Sequence, residues 1–385
     1  MAMRIVADEN IPHVRHFFER FGEVVTRPGR RISADDVREA DVLVVRSVTR
    51  VDKDLLLGSR VRFVGTCTIG VDHLDTQFLD QQGIGYASAP GCNANSVVEY
   101  VFSALAQLRP QWLSLSFAVV GCGNVGGALY RRLKALGLEV SFYDPLIDVA
   151  ARQDLDPSDA VSLRTALQAD VVCLHAPLTR SGEHPSWHLL GEAELAQLKP
   201  GCLLLNAGRG PVIDNQALRK CLQRRNDINV VLDVWEPEPE IDLALLPLVD
   251  LATPHIAGYS YDGKVAGTEM IYQSVCRFLG LDVVERDESL LQGGGQIVTL
   301  ADQPLQECLN QAILSGFDIA GDDRRMRAAL AGLDTVGGVF DQLRKDYPKR
   351  REFFVNQVVL GDGHNDQDRL QLQQALALLG FAVTK

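Results

Sequence analysis

The 385-residue sequence predicts an α/β protein built on doubly wound parallel sheets, and three observations predict it. Short apolar runs alternate with helix-length stretches over most of the chain, as βαβ units around a parallel sheet do. One such run, Phe117-Ala118-Val119-Val120, leads straight into Gly121-Cys122-Gly123-Asn124-Val125-Gly126 and then into a helix-like stretch. That strand–turn–helix context is what gives a G-x-G-x-x-G pattern meaning. The composition, 46% hydrophobic and 23% charged, is that of an ordinary globular protein, and a chain of this length has room for two or three domains.

Residues 4–7, 42–45, 62–65 and 84–87 read as buried strands, with 12–21 and 74–82 as the helical or loop stretches between them. Further on, Ser96 and Glu99 have the spacing of a capping box, in which a hydroxyl and a carboxylate satisfy early backbone N–H groups. Val98, Val101, Phe102, Leu105 and Leu108 then keep helical spacing. A second series of strands, 116–120, 140–143, 171–175, 202–206, 229–233 and 250–253, makes a full dinucleotide-binding sheet. Residues 258–280 read as a helix with Val265, Ile271, Val275 and Phe278 on one face, able to return the chain to the first domain. Beyond 285 the character changes: Gly293-Gly294-Gly295 reads as a flexible joint. The clusters Arg324-Arg325-Met326-Arg327 and Lys349-Arg350-Arg351 read as solvated surface, or else as an interface or anion contact.

A formal net charge of −12 argues against a general nucleic-acid binder, which needs a positive footprint. It leaves an anionic small substrate open, because a pocket's local field can oppose the overall charge. The eight cysteines are scattered without a C-x-x-C pair, so free thiols in a reducing compartment are expected, with no metal site and no disulfide framework. No secretory signal or membrane-length apolar run is seen, and a soluble cytoplasmic protein is expected.

The chemistry gathers at strand ends. In the glycine turn, Gly121 permits the tight bend, Gly123 lets the backbone approach a pyrophosphate, and Gly126 permits close helix–strand packing. Eighteen residues after Gly126 comes Asp144; a carboxylate there binds both ribose hydroxyls and repels a 2′-phosphate, favouring NAD over NADP. Asn206-Ala207-Gly208-Arg209-Gly210 sets a guanidinium at the end of the next-but-one strand, suited to gripping a carboxylate bidentately. Asp233-Val234-Trp235-Glu236-Pro237-Glu238-Pro239 offers three acids, and residue chemistry alone leaves Glu236 and Glu238 open. Thr253-Pro254-His255 supplies a proton acceptor. His175, His184 and His188 do not recreate that arrangement; His175 lies at a strand end where it lines the cofactor cleft at most. Singly, each of these has a bland reading as a turn or surface residue; three consecutive strands delivering cation, acid and base to one sheet edge do not.

In order and spacing these motifs resemble the D-2-hydroxyacid dehydrogenase family: a dinucleotide fingerprint, then Asn206 to Asp214, Leu232 to Pro239, and Pro254-His255. The resemblance covers roughly residues 1–280. It implies a flavodoxin-like substrate domain (1–93 and 258–285), a Rossmann-type NAD domain (94–257) and a small α+β C-terminal dimerisation domain (286–385). It assigns Arg209 to the substrate carboxylate, Glu238 rather than Glu236 to the histidine, and His255 to proton transfer. Asp8-Glu9-Asn10, Val45-Arg46-Ser47-Val48-Thr49, Phe63-Val64-Gly65-Thr66 with Thr68, Ala89-Pro90-Gly91-Cys92-Asn93-Ala94 and His255-Ile256-Ala257-Gly258-Tyr259 are similar to one branch of the family. That branch oxidises 4-phospho-D-erythronate at C2 to 2-oxo-3-hydroxy-4-phosphobutanoate in pyridoxal 5′-phosphate (vitamin B6) synthesis. The likeness implies substrate contacts at Ser47, Thr68 and Tyr259, and NAD contacts at Ala176, Ala207, Asp233 and Gly258 beside Gly121, Gly123, Asn124, Val125, Gly126 and Asp144. Ala176 departs from members with a polar residue there, so its contact is through backbone or van der Waals approach. A homodimer is implied by the tail. The alternatives are another dehydrogenase of the family, acting on 3-phosphoglycerate or glycerate, and a non-enzymatic NAD-sensing scaffold. The groups holding the 4-phosphate stay open, with Arg46 a candidate by its place beside Ser47.

Overall fold

The computed structural model describes residues 3–284, 288–291, 293–361 and 365–384. The chain divides into two compact units, 1–93 with 260–293 and 94–259 with 294–385. The domain boundary expected at 285/286 lies outside the described residues.

The first unit is a five-stranded parallel sheet: β1 (Met3–Asp8), β2 (Gly22–Arg27), β3 (Val42–Val45), β4 (Phe63–Thr66) and β5 (Gly85–Ala87). Their order is β2-β1-β3-β4-β5, the flavodoxin-like winding. β3 and β4 are buried along their whole length, as a parallel sheet covered on both faces requires. β2 is absent from the apolar pattern because only Val24 of its six residues is buried; the backbone ladder to β1, from Met3↔Gly22 to Asp8↔Arg27, defines it instead. The helix Tyr261–Leu279 opens where Ser260 Oγ accepts the Gly263 N–H at 2.9 Å and closes at Gly280 in the left-handed region. Of the four residues expected on one face, Val265, Ile271 and Val275 are fully buried while Phe278 is 45% exposed, its ring 5.0 Å from Phe63.

The second unit is built on six parallel strands: β6 (Phe117–Val120), β7 (Val140–Tyr143), β8 (Val171–Leu174), β9 (Leu203–Asn206), β10 (Asn229–Leu232) and β11 (Leu251–Ala252). The order is β11-β10-β9-β8-β6-β7. After β7 the chain crosses to the other side of β6 to form β8, so the switch point where such sheets bind ligands lies between β6 and β8. A three-stranded parallel sheet, β12 (Ile297–Leu300), β13 (Gln357–Leu360) and β14 (Ala382–Thr384), completes the unit. Cys308, Leu309, Ala312 and Ile313 of the helix Leu305–Gly316 share one apolar cluster with Val97, Val101 and Leu105 of the helix Ala94–Leu108. The C-terminal segment is therefore built into the core of the dinucleotide unit.

Two sequence expectations are overturned here. The helix begins at Ala94, not after Ser96, and the capping box does not form. Ser96 Oγ donates to Ala257 O at 2.8 Å, and Glu99 Oε1 accepts the Phe353 N–H at 2.7 Å. Both side chains are buried in the unit's interior, where buried polar atoms take whatever long-range partners the fold offers. Nor is the second basic cluster solvated throughout: Lys349 is exposed, but Arg350 and Arg351 are only 8% and 5% exposed. All eight cysteines are free thiols, six buried and two half-buried. Among the described residues no helix is long and apolar enough to cross a membrane.

Candidate active site

At the C-terminal end of β6 the chain turns through Gly121 at φ +87°, a region only glycine enters freely. A Cβ there would lie 2.5 Å from Ala176 N, and one at Gly126 would lie 1.9 Å from Gly121 O. A Cβ at Gly123 would meet open space, so that backbone is the approachable one. Asn124 and Val125 open the helix Asn124–Ala135, which no side chain caps at Gly123; its first N–H groups are a ready anion receptor. Asp144, after β7, braces this turn: Oδ2 accepts the Cys122 N–H at 2.8 Å and Oδ1 the Leu146 N–H at 3.1 Å. Ala176 is buried after β8 and Ala207 half-buried after β9. Beside them, both ring nitrogens of His175 are buried and have no hydrogen-bond partner among the described residues, and burial pushes this imidazole down to about 4. A cradle shaped by absent side chains, an uncapped helix start and an orphaned buried imidazole fit a dinucleotide.

At the end of β9, Asn206 shapes its own turn, accepting the Gly208 N–H at 3.1 Å and donating to Arg209 O at 3.0 Å. Arg209 Nη1 donates to Gly208 O at 2.9 Å. After β10, the Asp233 carboxylate is 1% exposed and wholly engaged. It accepts Thr253 Oγ1 at 2.6 Å and the N–H groups of Ile256 and Ala257 at 2.7 and 3.0 Å. Burial raises its pKa. What it visibly does is tie the loop after β10 to the loop after β11. In that second loop His255 is held at φ 57°, its N–H donating to Asp233 O at 2.7 Å; a non-glycine residue in this region carries strain that concentrates at functional sites.

His255 Nδ1 lies 2.8 Å from Glu238 Oε2, and Glu238 Oε1 accepts the Trp235 N–H at 2.9 Å. Burial pushes the Glu238 carboxyl up. The neighbouring His255, their hydrogen bond, the Trp235 N–H and the charge of Arg344 outweigh it and hold the group below its ordinary value. Glu238 is thus ionised at neutral pH, and an ionised carboxylate only accepts. In the neutral imidazole of His255 the proton then sits on Nδ1, and Nε2 keeps its lone pair. The other candidate acid faces elsewhere: Glu236 Oε2 lies 2.9 Å from His188 Nε2, with Asp214 3.7 Å from His188 Nδ1. These three place a ligand atom each within 4.8 Å of one another.

Gly258 and Tyr259 follow His255, and Tyr259 Oη accepts from Arg344 Nη2 at 2.9 Å, a partner the sequence reading missed because nothing local marks Arg344. In the first unit, Ser47 follows β3 and is exposed, and Thr68 follows β4 with its hydroxyl 2.8 Å from Thr66 Oγ1. Arg46 Nε donates to the fully buried Asp8 at 2.8 Å.

Residues 107–257 match the family model described as D-isomer specific 2-hydroxyacid dehydrogenase, NAD binding domain, and residues 294–376 match a Domain of unknown function (DUF3410). Solved structures share the fold. D-lactate dehydrogenase from Aquifex aeolicus, complexed with NAD and lactic acid, is 23% identical at a TM-score of 0.60, covering 72% of this chain and 95% of that one. Cofactor-bound 3-phosphoglycerate dehydrogenase from Entamoeba histolytica is 21% identical at 0.61, covering 73% and 96%. The family model, together with the dinucleotide cradle, defines an NAD-dependent dehydrogenase. Among curated relatives, erythronate-4-phosphate dehydrogenase of Cellvibrio japonicus is 53% identical over 396 residues, 98% of this chain and 99% of the relative. That of Teredinibacter turnerae is 46% identical over 383 residues, covering 99% of each. The chain belongs to the erythronate-4-phosphate dehydrogenase family, within the D-isomer specific 2-hydroxyacid dehydrogenases.

Proposed function

We propose that the chain oxidises 4-phospho-D-erythronate at C2 to 2-oxo-3-hydroxy-4-phosphobutanoate with NAD, in pyridoxal 5′-phosphate synthesis. The observation that carries the chemistry is the 2.8 Å His255–Glu238 pair; the names of the relatives support the choice of substrate. When bound, the nicotinamide accepts the hydride that leaves C2. Gly121, Gly123, Asn124, Val125 and Gly126 receive the pyrophosphate, Asp144 the ribose, and Ala176, Ala207 and Gly258 line the cofactor. Asp233 contributes by shaping the loop after β11, to which Gly258 belongs. His255 Nε2 takes the C2 hydroxyl proton, and Glu238 stabilises the imidazolium that forms, a positioned base being worth about 10²–10⁴-fold. Arg209 binds the substrate carboxylate. Ser47, Thr68 and Tyr259 are the hydroxyl contacts, and Arg46 is the candidate for the phosphate. A homodimer formed through the C-terminal segment and a cytoplasmic location complete the reading; Ile297, Phe354 and Leu370, 71%, 46% and 56% exposed, are apolar surface available to a second copy.

The test is absorbance of reduced nicotinamide when the protein meets 4-phospho-D-erythronate, 3-phospho-D-glycerate or D-glycerate with NAD, a 2-oxo acid being present to reoxidise retained cofactor. Turnover strongest with 4-phospho-D-erythronate is expected. Turnover confined to another acid discards the substrate and keeps the mechanism, and none with any acid discards the proposal.

A further inference from the structure

The catalytic pair sits on two separate loops, the one after β10 carrying Glu238 and the one after β11 carrying His255. Their 2.8 Å contact requires both loops to be held in one relation. Asp233 ties them from within, by accepting the Ile256 and Ala257 N–H groups. The carbonyls of the same two residues are received by a side chain from far along the chain. Arg350 Nη2 donates to Ala257 O at 2.6 Å and to Ser96 Oγ at 2.5 Å, and reaches Ile256 O at 3.5 Å. Its guanidinium lies 4.0 Å over the ring of Phe317, and it is 8% exposed. Residues 256 and 257 are therefore held by a buried carboxylate at their N–H groups and by a buried guanidinium at their carbonyls. A charged donor to a carbonyl is among the stronger hydrogen bonds a protein makes.

The same stretch of chain grips the other end of this loop and the other loop as well. Arg344 Nη2 donates to Tyr259 Oη at 2.9 Å, and Arg344 is one of the charges acting on Glu238. At the start of the helix Gly337–Lys345, the N–H groups of Val336 and Gly337 donate to Glu240 Oε2 and Oε1 at 3.1 and 3.0 Å. Glu240 lies two residues beyond Glu238, so a carboxylate at a helix N-terminus anchors the loop that carries the catalytic acid.

We infer that residues 336–350, within the segment matching the domain of unknown function, are a bracket that fixes Glu238 against His255, with Glu240, Arg344 and Arg350 as positioning residues. The inference rests on the reading of His255 and Glu238 as the proton-transfer pair. It gives this part of the chain a task in the chemistry itself, separate from any in assembly. Among the charged groups acting on the pair are Asp233, from the end of β10, on His255 and Arg344, from the bracket, on Glu238; Tyr259 is in turn bonded to Arg344.

The test is a set of variants of the full-length protein, each made with and without His255→Ala. Arg350→Met keeps the stem and removes the donors; Arg350→Lys restores one donor and a charge; Glu240→Ala and Arg344→Gln loosen the other two grips at more exposed positions. For Arg350→Met, kcat should fall by roughly 10–100-fold, KM and the NADH dissociation constant should move less than about threefold, and Arg350→Lys should recover part of the loss. In the His255→Ala background the same changes should cost less than about twofold, since there is no longer a base to position. A readout that needs no substrate is the downfield imidazole N–H proton resonance of the His255–Glu238 hydrogen bond, present in the parent protein and lost or broadened in Arg350→Met. If Arg350→Met does not fold, Glu240→Ala and Arg344→Gln carry the same comparison. Equal losses with and without His255, or an unchanged resonance in folded variants of normal kcat, overturn the bracket. A parent protein inactive on every hydroxy acid would instead sink the proposed function, while the resonance would still decide the bracket.

Discussion

Replacing Glu238 by glutamine tests the chemistry with almost no change of shape. The carboxylate spends one oxygen on His255 Nδ1 at 2.8 Å and the other on the Trp235 N–H at 2.9 Å. Glutamine has one oxygen and one NH₂ to place there. Trp235 is 1% exposed, so its N–H cannot turn to water and claims the oxygen, because a buried unmet donor costs about 1–3 kcal/mol. The NH₂ then faces His255, Nδ1 must become the acceptor, and the proton moves to Nε2, the atom that has to take the substrate's proton. Losing the charge-assisted bond to the imidazolium costs about 1.5–3 kcal/mol, or roughly 10–150-fold in rate at about 1.36 kcal/mol per decade. The inverted tautomer adds to this, for a total on the order of 10³–10⁴, the scale seen when a triad's orienting carboxylate becomes an amide. Initial rates of NADH formation give kcat, and fluorescence titration gives NADH affinity, which should stay within about threefold because the Glu238 carboxylate is spent on His255 and Trp235 and not on the glycine turn. A loss below about tenfold, or an equal loss of NADH affinity, would refute the reasoning.

Three further outcomes are expected. Gly126→Ala puts a Cβ 1.9 Å from Gly121 O, so the turn must shift and NADH affinity should fall by roughly 10–100-fold in a fluorescence titration. Arg209→Lys keeps the charge but loses the planar fork, so KM for the hydroxy acid should rise about tenfold or more while NADH affinity holds, as steady-state kinetics would read out. Stability should decline on mild acidification. His175 is pushed from an ordinary 6.5 to about 4 by burial, so the unfolded chain binds its proton more readily. The contribution is complete above pH 6.5, is lost as the pH falls toward 4, and amounts to at most about 3 kcal/mol. Urea melts of the parent and His175→Gln between these pH values should converge as the pH falls; parallel curves would show that the imidazole is not the group responsible.

How much was legible depended on how local the cause was. β3 and β6 are continuous apolar runs because a parallel strand is covered on both faces, and that burial writes itself into consecutive residues. The glycine turn could be read because each glycine answers to a contact a few residues away or across one strand pair. The edge strand β2, with one buried residue, left no such trace. The capping box at Ser96 and Glu99 misled, since its spacing is right while its partners, Ala257, Arg350 and Phe353, lie far along the chain.

By itself, then, the sequence determined the α/β class, the dinucleotide turn with Asp144, and the delivery of Arg209, an acid and His255 to the ends of successive strands, because strand, turn and helix signals are properties of neighbouring residues. Residue chemistry left Glu236 and Glu238 open, and only family resemblance preferred the second. Tertiary structure separated them: carboxylates two positions apart in one loop point to different neighbours, Glu236 to His188 and Glu238 to His255. It alone also decided that Arg350, which reads as a solvated cation, is buried against the residues that follow His255. A buried charge is placed by partners scattered through the chain, and no local pattern records where those partners will meet.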